Sequence, residues 1–364
     1  MQILRLSMEN RRQKVRKSNL VNSVRIARVA LALHISFVVV SPLVVLAQGG
    51  VDEIARLNIE LQRAKEVDDI GKAVEIGRTL VDLQPNEAAP AYNLACVYSR
   101  AGDKDQAVHW LLASAERGFS YVATLLRDTD LDDIRNHAGF AQAVELIKQN
   151  NAAALERFKP QAEGAKIVTI VPPNFDETKP APLIVALHGY GGNAQDIASV
   201  WRGPAARFGA VLIAPQAIQA ADAGFSWGVV EQGEYLVMRA IERARAGHNV
   251  DPKRIVLTGF SQGGGMCFTL GLRQPGLFAG VIPVAGVYED RVDPIPPQSR
   301  ATLPRFVIMN GADDREAENN RAAAERLKAI NVPVLLRIYD NVGHAFPPNR
   351  EVELDIALRF VLEP

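Results

Sequence analysis

Cysteine is scarce. Two residues, Cys96 and Cys267, serve a chain of 364. So few exclude a disulfide-stapled scaffold and a cysteine-rich zinc module. The two fall in segments of different texture, so no disulfide is expected between them. Net charge is lacking too, since 41 Lys and Arg balance 41 Asp and Glu. Outside the N-terminus no long basic run occurs, so the chain lacks the clustered cations that displace counterions from nucleic acid. Long apolar runs are confined to one stretch near the N-terminus, which excludes a polytopic membrane protein. No cluster of His, Cys and carboxylates has metal-ligand spacing, and no dinucleotide fingerprint occurs, so neither metal nor cofactor is expected. What is present is ample for a globular fold: 48% hydrophobic residues over a length that suggests about two domains with cores of their own.

The charge balance conceals an asymmetry. Residues 1–28 carry eight Lys and Arg against the single acid Glu9, leaving the rest at −7. An uncharged apolar stretch, Val29 to Ala47, follows, ending Val45-Leu46-Ala47-Gln48-Gly49-Gly50. Basic, apolar, then small residues is the layout of a signal peptide cleaved after Ala47. Its length also approaches the ~20 residues of a membrane span, so an uncleaved N-terminal anchor is the second reading, with Pro42 weakening it. Either way residues 1–47 are an address and the body is exported, periplasmic or secreted, touching a membrane only if the segment stays.

Residues 51–150 predict a small helical module. Apolar positions recur at helical spacing through Ile54, Leu57, Leu61, Ile70, Val74, Ile76 and Leu80, until Pro85 ends the run. A helix pair is predicted at 88–101 and 103–117, broken by Gly102 and capped by Asp103. Asp69 and Ala73-Val74 recur as Asp103 and Ala107-Val108, 34 residues later, the period of a tetratricopeptide repeat. Asn93-Leu94-Ala95, Tyr98, Gly102, Ala107 and Leu111 resemble that repeat's packing residues, while Gly77 stands where a bulky residue is expected. Two readings stand: a concave surface for a protein partner, or a packing appendage. His109 and His137 read as ordinary surface or seam residues, and a linker is expected from Asn150 to Gly164.

From about residue 162 to 364 the texture changes to short β-rich runs alternating with amphipathic helices. Strands are expected at 167–171, 183–187, 210–214, 254–258, 281–284, 305–309 and 334–339. Helices are expected at 194–208, 232–247, 262–273, 316–330 and 350–362. This alternation predicts an α/β fold, a mostly parallel sheet with helices on both faces. Ligand sites in such folds gather at the carboxyl ends of the strands.

The chemistry-bearing residues fall at such ends. Gly259-Phe260-Ser261-Gln262-Gly263 is G-x-S-x-G between a predicted strand and helix, the setting of a nucleophile elbow, with Ser261 the nucleophile. A serine hydroxyl needs a neighbouring imidazole to take its proton. In this arrangement the order is Ser, acid, His, and of six histidines only His344 follows Ser261. The strand 305–309 runs into Asn310-Gly311-Ala312-Asp313-Asp314, offering either Asp313 or Asp314 as the carboxylate that orients the imidazole. The glycines of His188-Gly189-Tyr190-Gly191-Gly192 let backbone N–H groups approach the nucleophile. The oxyanion hole is therefore assigned to the N–H of Gln262 and that of Tyr190, with His188 a structural strut. Trp227, in Phe225-Ser226-Trp227-Gly228, is either a substrate-pocket wall or core packing. Cys267 is expected to be buried. The loop from Asp290 to Pro304 is expected to stiffen one wall.

These segments together resemble the α/β-hydrolase superfamily, nearest the phospholipase/carboxylesterase group with its acyl-protein thioesterases, and the polyhydroxybutyrate-depolymerase-like and feruloyl esterases. The matching text is Leu187-His188-Gly189-Tyr190-Gly191-Gly192, Ala214-Pro215-Gln216, Asp251-Pro252-Lys253-Arg254-Ile255, Gly259-Phe260-Ser261-Gln262-Gly263-Gly264, Gly311-Ala312-Asp313-Asp314 and Gly343-His344. The acid of that group sits three residues after a glycine, which implies Asp314. After the loop histidine the group often has Gly-Leu-Gly-Asp, where this chain has Gly189-Tyr190-Gly191-Gly192-Asn193. The resemblance implies an exported serine hydrolase of small carboxylic esters working through an acyl-enzyme. Its rivals are a serine peptidase of prolyl-oligopeptidase type and a non-catalytic hydrolase-fold scaffold.

Overall fold

In a computed structural model of the chain, the described residues are 42–173, 175–221, 223–292 and 302–363, with side chains from residue 53. The signal or anchor expected at the N-terminus lies outside them up to residue 41, as does the proline-rich loop over 293–301. Among the described residues no helix is long and apolar enough to cross a membrane. The chain divides into two compact units, Met1–Glu60 and Leu61–Pro364. In the first, the described part belongs to helix α1 (Pro42–Glu66), where Arg56 pairs with Glu60 one turn on.

Everything from Leu61 onward, helical segment and sheet alike, falls in the second unit. Helices α2 (Ile70–Leu83), α3 (Ala88–Arg100) and α4 (Lys104–Glu116) stack first. The apolar run expected across 51–83 is interrupted at Val67–Asp69, where Asp68 adopts φ 57°. Asp69 and Asp103, 34 residues apart, cap α2 and α4 in the same way. Each side chain accepts from the backbone N–H three residues on, at 3.1 Å. Tyr98 and Leu111 are buried in the seam, and the Tyr98 hydroxyl accepts from Arg78 Nε. Gly77 has a steric reason: a Cβ there would lie 2.9 Å from Leu94 Cδ1 of the facing helix. The short helix α5 (Val122–Arg127) and a 3-10 turn (Thr129–Ile134) follow, then the long α6 (Ala138–Ala162).

The linker expected from Asn150 is instead the second half of α6. Asn150 and Asn151 read as loop residues, but their amides reach back to the carbonyls of Ala115, Phe119 and Ser120. Phe158 and Ala162 then pack into the core of the sheet domain. Arg239 closes the helix by donating to the carbonyls of Ala162 and Glu163, satisfying terminal acceptors that α6 cannot pair itself.

The sheet has seven strands in the order β1-β3-β2-β6-β7-β8-β9. They are β1 (Ile167–Ile170), β2 (Ala181–Leu187), β3 (Val211–Pro215), β6 (Val250–Phe260), β7 (Gly280–Val284), β8 (Arg305–Gly311) and β9 (Val334–Tyr339). β1 runs antiparallel to β3 at one edge, and the other pairs are parallel. β2 explains the two-sided architecture. All seven of its residues are buried, and they alternate: Leu183, Val185 and Leu187 enter one core, Ile184 and Ala186 the other. A strand buried on both faces must be apolar throughout. Helices α7 (Ala194–Arg207), α8 (Val230–Gly247), α9 (Gln262–Arg273), α10 (Ala317–Ala329) and α11 (Arg350–Leu362) supply the covers. A two-stranded hairpin, β4 (Gln219–Ala221) and β5 (Gly224–Ser226), projects after β3.

Candidate active site

Strand β6 delivers Ser261 and helix α9 carries the chain away. Between them Ser261 adopts φ 55°, ψ −115°, a left-handed conformation costing a non-glycine residue about 1–3 kcal/mol. Its N–H donates to Val284 O of β7 at 2.9 Å, which holds the strained residue in place. The flanking glycines are dictated by contact. A Cβ on Gly259 would lie 2.4 Å from Gly263 O, and one on Gly263 would lie 2.6 Å from the carbonyls of Leu187 and His188.

Strands β8 and β9 bring the other two groups. The turn after β8 and the loop after β9 are laced by backbone bonds, Ala312 N to Tyr339 O and Asp313 N to Val342 O. On this frame His344 Nε2 lies 2.8 Å from Ser261 Oγ, and His344 Nδ1 lies 2.8 Å from Asp314 Oδ2. The Asp314 carboxylate is 1% exposed, and its other oxygen accepts from Glu316 N. Asp313 points to solvent. Of the two adjacent aspartates, the buried one meets the imidazole. Phe260 packs against the His344 ring at 5.1 Å and against Phe346 at 5.0 Å, limiting the ring's movement.

The backbone N–H groups of Tyr190 and Gln262 have no acceptor among the described residues. Gln262 opens α9, where the first N–H groups have no partner within the helix and the dipole favours negative charge. The Tyr190 loop is pinned by the hairpin: Gly191 N donates to Phe225 O and Phe225 N to Gly192 O, both at 3.0 Å. From below it is held by His188, which is buried. Its Nδ1 lies 2.8 Å from Gly189 O, while Nε2 faces the Ala217 N–H and the Gln216 amide at 3.2 Å each. That network assigns the proton to Nδ1, and burial lowers the pKa of the ring.

Trp227 serves both readings. It is 2% exposed, stacks on His188 at 4.9 Å and donates from Nε1 to His188 O at 2.7 Å, yet it also lines the cavity. Two positioning residues escaped the sequence reading. Ser226 accepts from Gln262 Nε2 at 3.0 Å, and Gln216 accepts from Ala194 N while touching His188. Gln216 lies in Ala214-Pro215-Gln216, one of the segments that carry the resemblance, and only tertiary contact gives it a role. Ser226, beside Trp227, likewise has a role only through tertiary contact.

Two clefts meet at Ser261. One, of about 360 Å³, is lined by Trp227, Val230, Met266 and Val287. The other, also about 360 Å³, is lined by Ile197, Val200, Phe260 and Phe346. Tyr190, Ser261 and His344 border both.

Remote from this site, Cys96, Asp128 and Asp130 bring potential metal-ligand atoms within 4.8 Å of one another. Those atoms are already engaged. Asp128 accepts from the Tyr92 hydroxyl and from Cys96, and Asp130 pairs with Lys65 at 2.7 Å. Burial raises the Cys96 pKa well above its ordinary value, which disfavours the thiolate that a metal needs. Cys267 is likewise buried and free.

A model of the dienelactone hydrolase family matches residues 175–355. Poly(3-hydroxyalkanoate) depolymerase C of Paucimonas lemoignei is 35% identical over 115 residues, 29% of this chain and 28% of that protein. Acyl-protein thioesterase 1 of Gibberella zeae is 30% identical over 118 residues, 31% of this chain and 50% of that protein. Feruloyl esterase C of Emericella nidulans is 30% identical over 134 residues, 35% of this chain and 48% of that protein. The chain thus spans half or less of the length of these relatives.

Proposed function

Residues 175–355 belong to the dienelactone hydrolase family of α/β-hydrolases, and from that premise we propose that the protein hydrolyses carboxylic esters with Ser261 as nucleophile. The observation that carries this reading is the continuous relay from Ser261 Oγ through His344 to Asp314, with both contacts at 2.8 Å. The names of the relatives, a depolymerase of a polyester, a thioesterase and a feruloyl esterase, support acyl transfer to water as the reaction class.

The chemistry follows from the geometry. Ser261 Oγ attacks the ester carbonyl while its proton passes to His344 Nε2. Asp314 accepts from Nδ1–H, keeps the imidazole in the reactive tautomer and stabilises the imidazolium. The carbonyl oxygen, now an oxyanion, takes the N–H groups of Tyr190 and Gln262. As the tetrahedral intermediate collapses, the bond to the leaving oxygen breaks and that oxygen takes the proton from His344. The acyl group remains on Ser261. Water then attacks it, giving its proton to His344; the bond from the acyl carbon to Ser261 Oγ breaks, Oγ takes that proton back from His344, and the carboxylic acid leaves. The basic and apolar layout of residues 1–47 supports export of the protein. Sequencing the N-terminus of the mature protein tests that part.

Turnover of 4-nitrophenyl acetate and butyrate by the native protein and by Ser261→Ala tests the reaction. The variant is expected to lose on the order of 10⁴-fold or more in kcat. It should also resist a fluorophosphonate probe that labels the native serine. Equal turnover in both proteins would sink the proposal.

A further inference from the structure

The helical segment reaches the reaction centre. Helix α5 has six residues, yet it places Ala123 and Arg127 in the lining of the same cavity as Ser261, Gln262 and His344. The remaining lining residues all come from the sheet domain. Two ion pairs hold this part of the helical segment to the loop after β7. Arg127 Nη1 lies 2.8 Å from Glu289 Oε1, and Glu289 itself borders the cavity. Beside it, Arg291 grips both oxygens of Asp132 at 2.6 and 3.0 Å. Arg291 and then Arg135 lower the Asp132 pKa to about 2, so both partners of this pair are charged near neutrality. Both pairs join this wall to the loop after β7.

We infer that α5 is part of the substrate site, and that Ala123 and Arg127 set the length of acyl chain the enzyme accepts. The inference rests on the ester-hydrolase reading above. The leaving group must take its proton from His344 Nε2, and the cleft bordered by Phe260 and Phe346, the two rings stacked beside His344, serves it. The acyl chain stays on Ser261 and occupies the other cavity, walled by Trp227, Met266 and Val287 with Ala123 and Arg127. Its volume of about 360 Å³ is at the small end of the roughly 300–1,000 Å³ of ligand pockets. Short and medium acyl chains fit such a space, and one enlarged side chain in the wall removes much of it. Ala123 leaves room, and Arg127 limits it with a side chain that spends one of its five N–H donors on Glu289.

The test compares kcat/KM for 4-nitrophenyl acetate, butyrate and octanoate in the full chain, with active sites titrated by a fluorophosphonate. Ala123→Trp should lower the octanoate-to-acetate ratio about tenfold or more, and Arg127→Ala should raise it several-fold, as expected for a pocket filled or opened by a few methylene groups. A merely structural role would scale all three esters by one common factor in both variants, and that result overturns the inference, as does no change at all. A melting curve checks folding. Should Ala123→Trp not fold, the exposed Arg127→Ala decides alone. Turnover surviving in Ser261→Ala refutes the hydrolase reading itself. Loss of turnover in that variant together with flat ratios refutes only the role of α5.

Discussion

At the scale of single residues, burial separates neighbours that the sequence leaves equivalent. Asp313 and Asp314 are chemically identical, but one is in solvent and the other lies beneath His344. An amide in place of the buried carboxylate offers the imidazole a donor where it needs an acceptor. Asp314→Asn is therefore expected to lower kcat on the order of 10⁴-fold, while Asp313→Asn stays within about threefold of the native rate. Steady-state assays of the two variants side by side decide it. His188 carries a different consequence. Burial lowers its pKa in the folded state, whereas in the unfolded chain it titrates near about 6.5. Below that value the unfolded state takes up a proton the folded state refuses, so stability rises with pH there. The contribution of the neutral ring is complete above about pH 6.5 and lost as pH falls toward the folded value. Thermal melts from pH 7 to 5 should show a falling Tm, with a shallower slope in His188→Gln. Parallel slopes would contradict the assignment of that loss to His188.

At the scale of elements, the hairpin β4–β5 is the part least visible beforehand. Its strands have three residues each, too short to show a period of two. Yet this hairpin fixes the loop that carries the Tyr190 N–H. A Cβ on Gly224 would lie 2.3 Å from Gly191 O and 2.7 Å from Gly192 O, backbone atoms that can yield only by moving the loop. Gly224→Ala is expected to cost about 10²–10³-fold in kcat, the scale of one lost oxyanion donor. A change in KM alone would point elsewhere. The seven strands of the main sheet were legible because runs such as Leu183–Leu187 are apolar and bounded by turn residues. The second half of α6 was not legible, because Asn150 and Asn151 act through carbonyls more than thirty positions away. Ser226 was hidden for the same reason, its partner Gln262 being 36 residues on.

At the scale of the molecule, the helical segment has a core of its own around Leu94, Leu111 and Ile147, and the end of α6 joins it to the core of the sheet domain. Phe158 belongs to α6 but is buried among residues of the sheet domain. Ion pairs at Arg127–Glu289 and Arg291–Asp132 join the same two parts at the surface. Exposed pairs contribute little each, so the shared apolar packing is the stronger bond. Phe158→Ala is expected to cost about 3–5 kcal/mol. It should lower one common transition seen both by circular dichroism and by tryptophan fluorescence. Separate transitions, only one of them shifted, would show that the two parts fold independently.

The alternation of strands and helices, the strand-to-helix setting of Ser261 and the expectation of His344 as its partner were determined by the sequence itself. Each depends on local properties: apolar periodicity, glycines where a Cβ would collide, and a single histidine beyond the serine. Asp314 over Asp313 was implied only by the resemblance, and it is burial that sets the two apart. The hairpin under the Tyr190 loop, the continuity of α6 and the approach of α5 to Ser261 were decided by tertiary structure alone. In each of these the partners are far apart along the chain, and no local pattern encodes a contact whose free energy exists only once the core has closed.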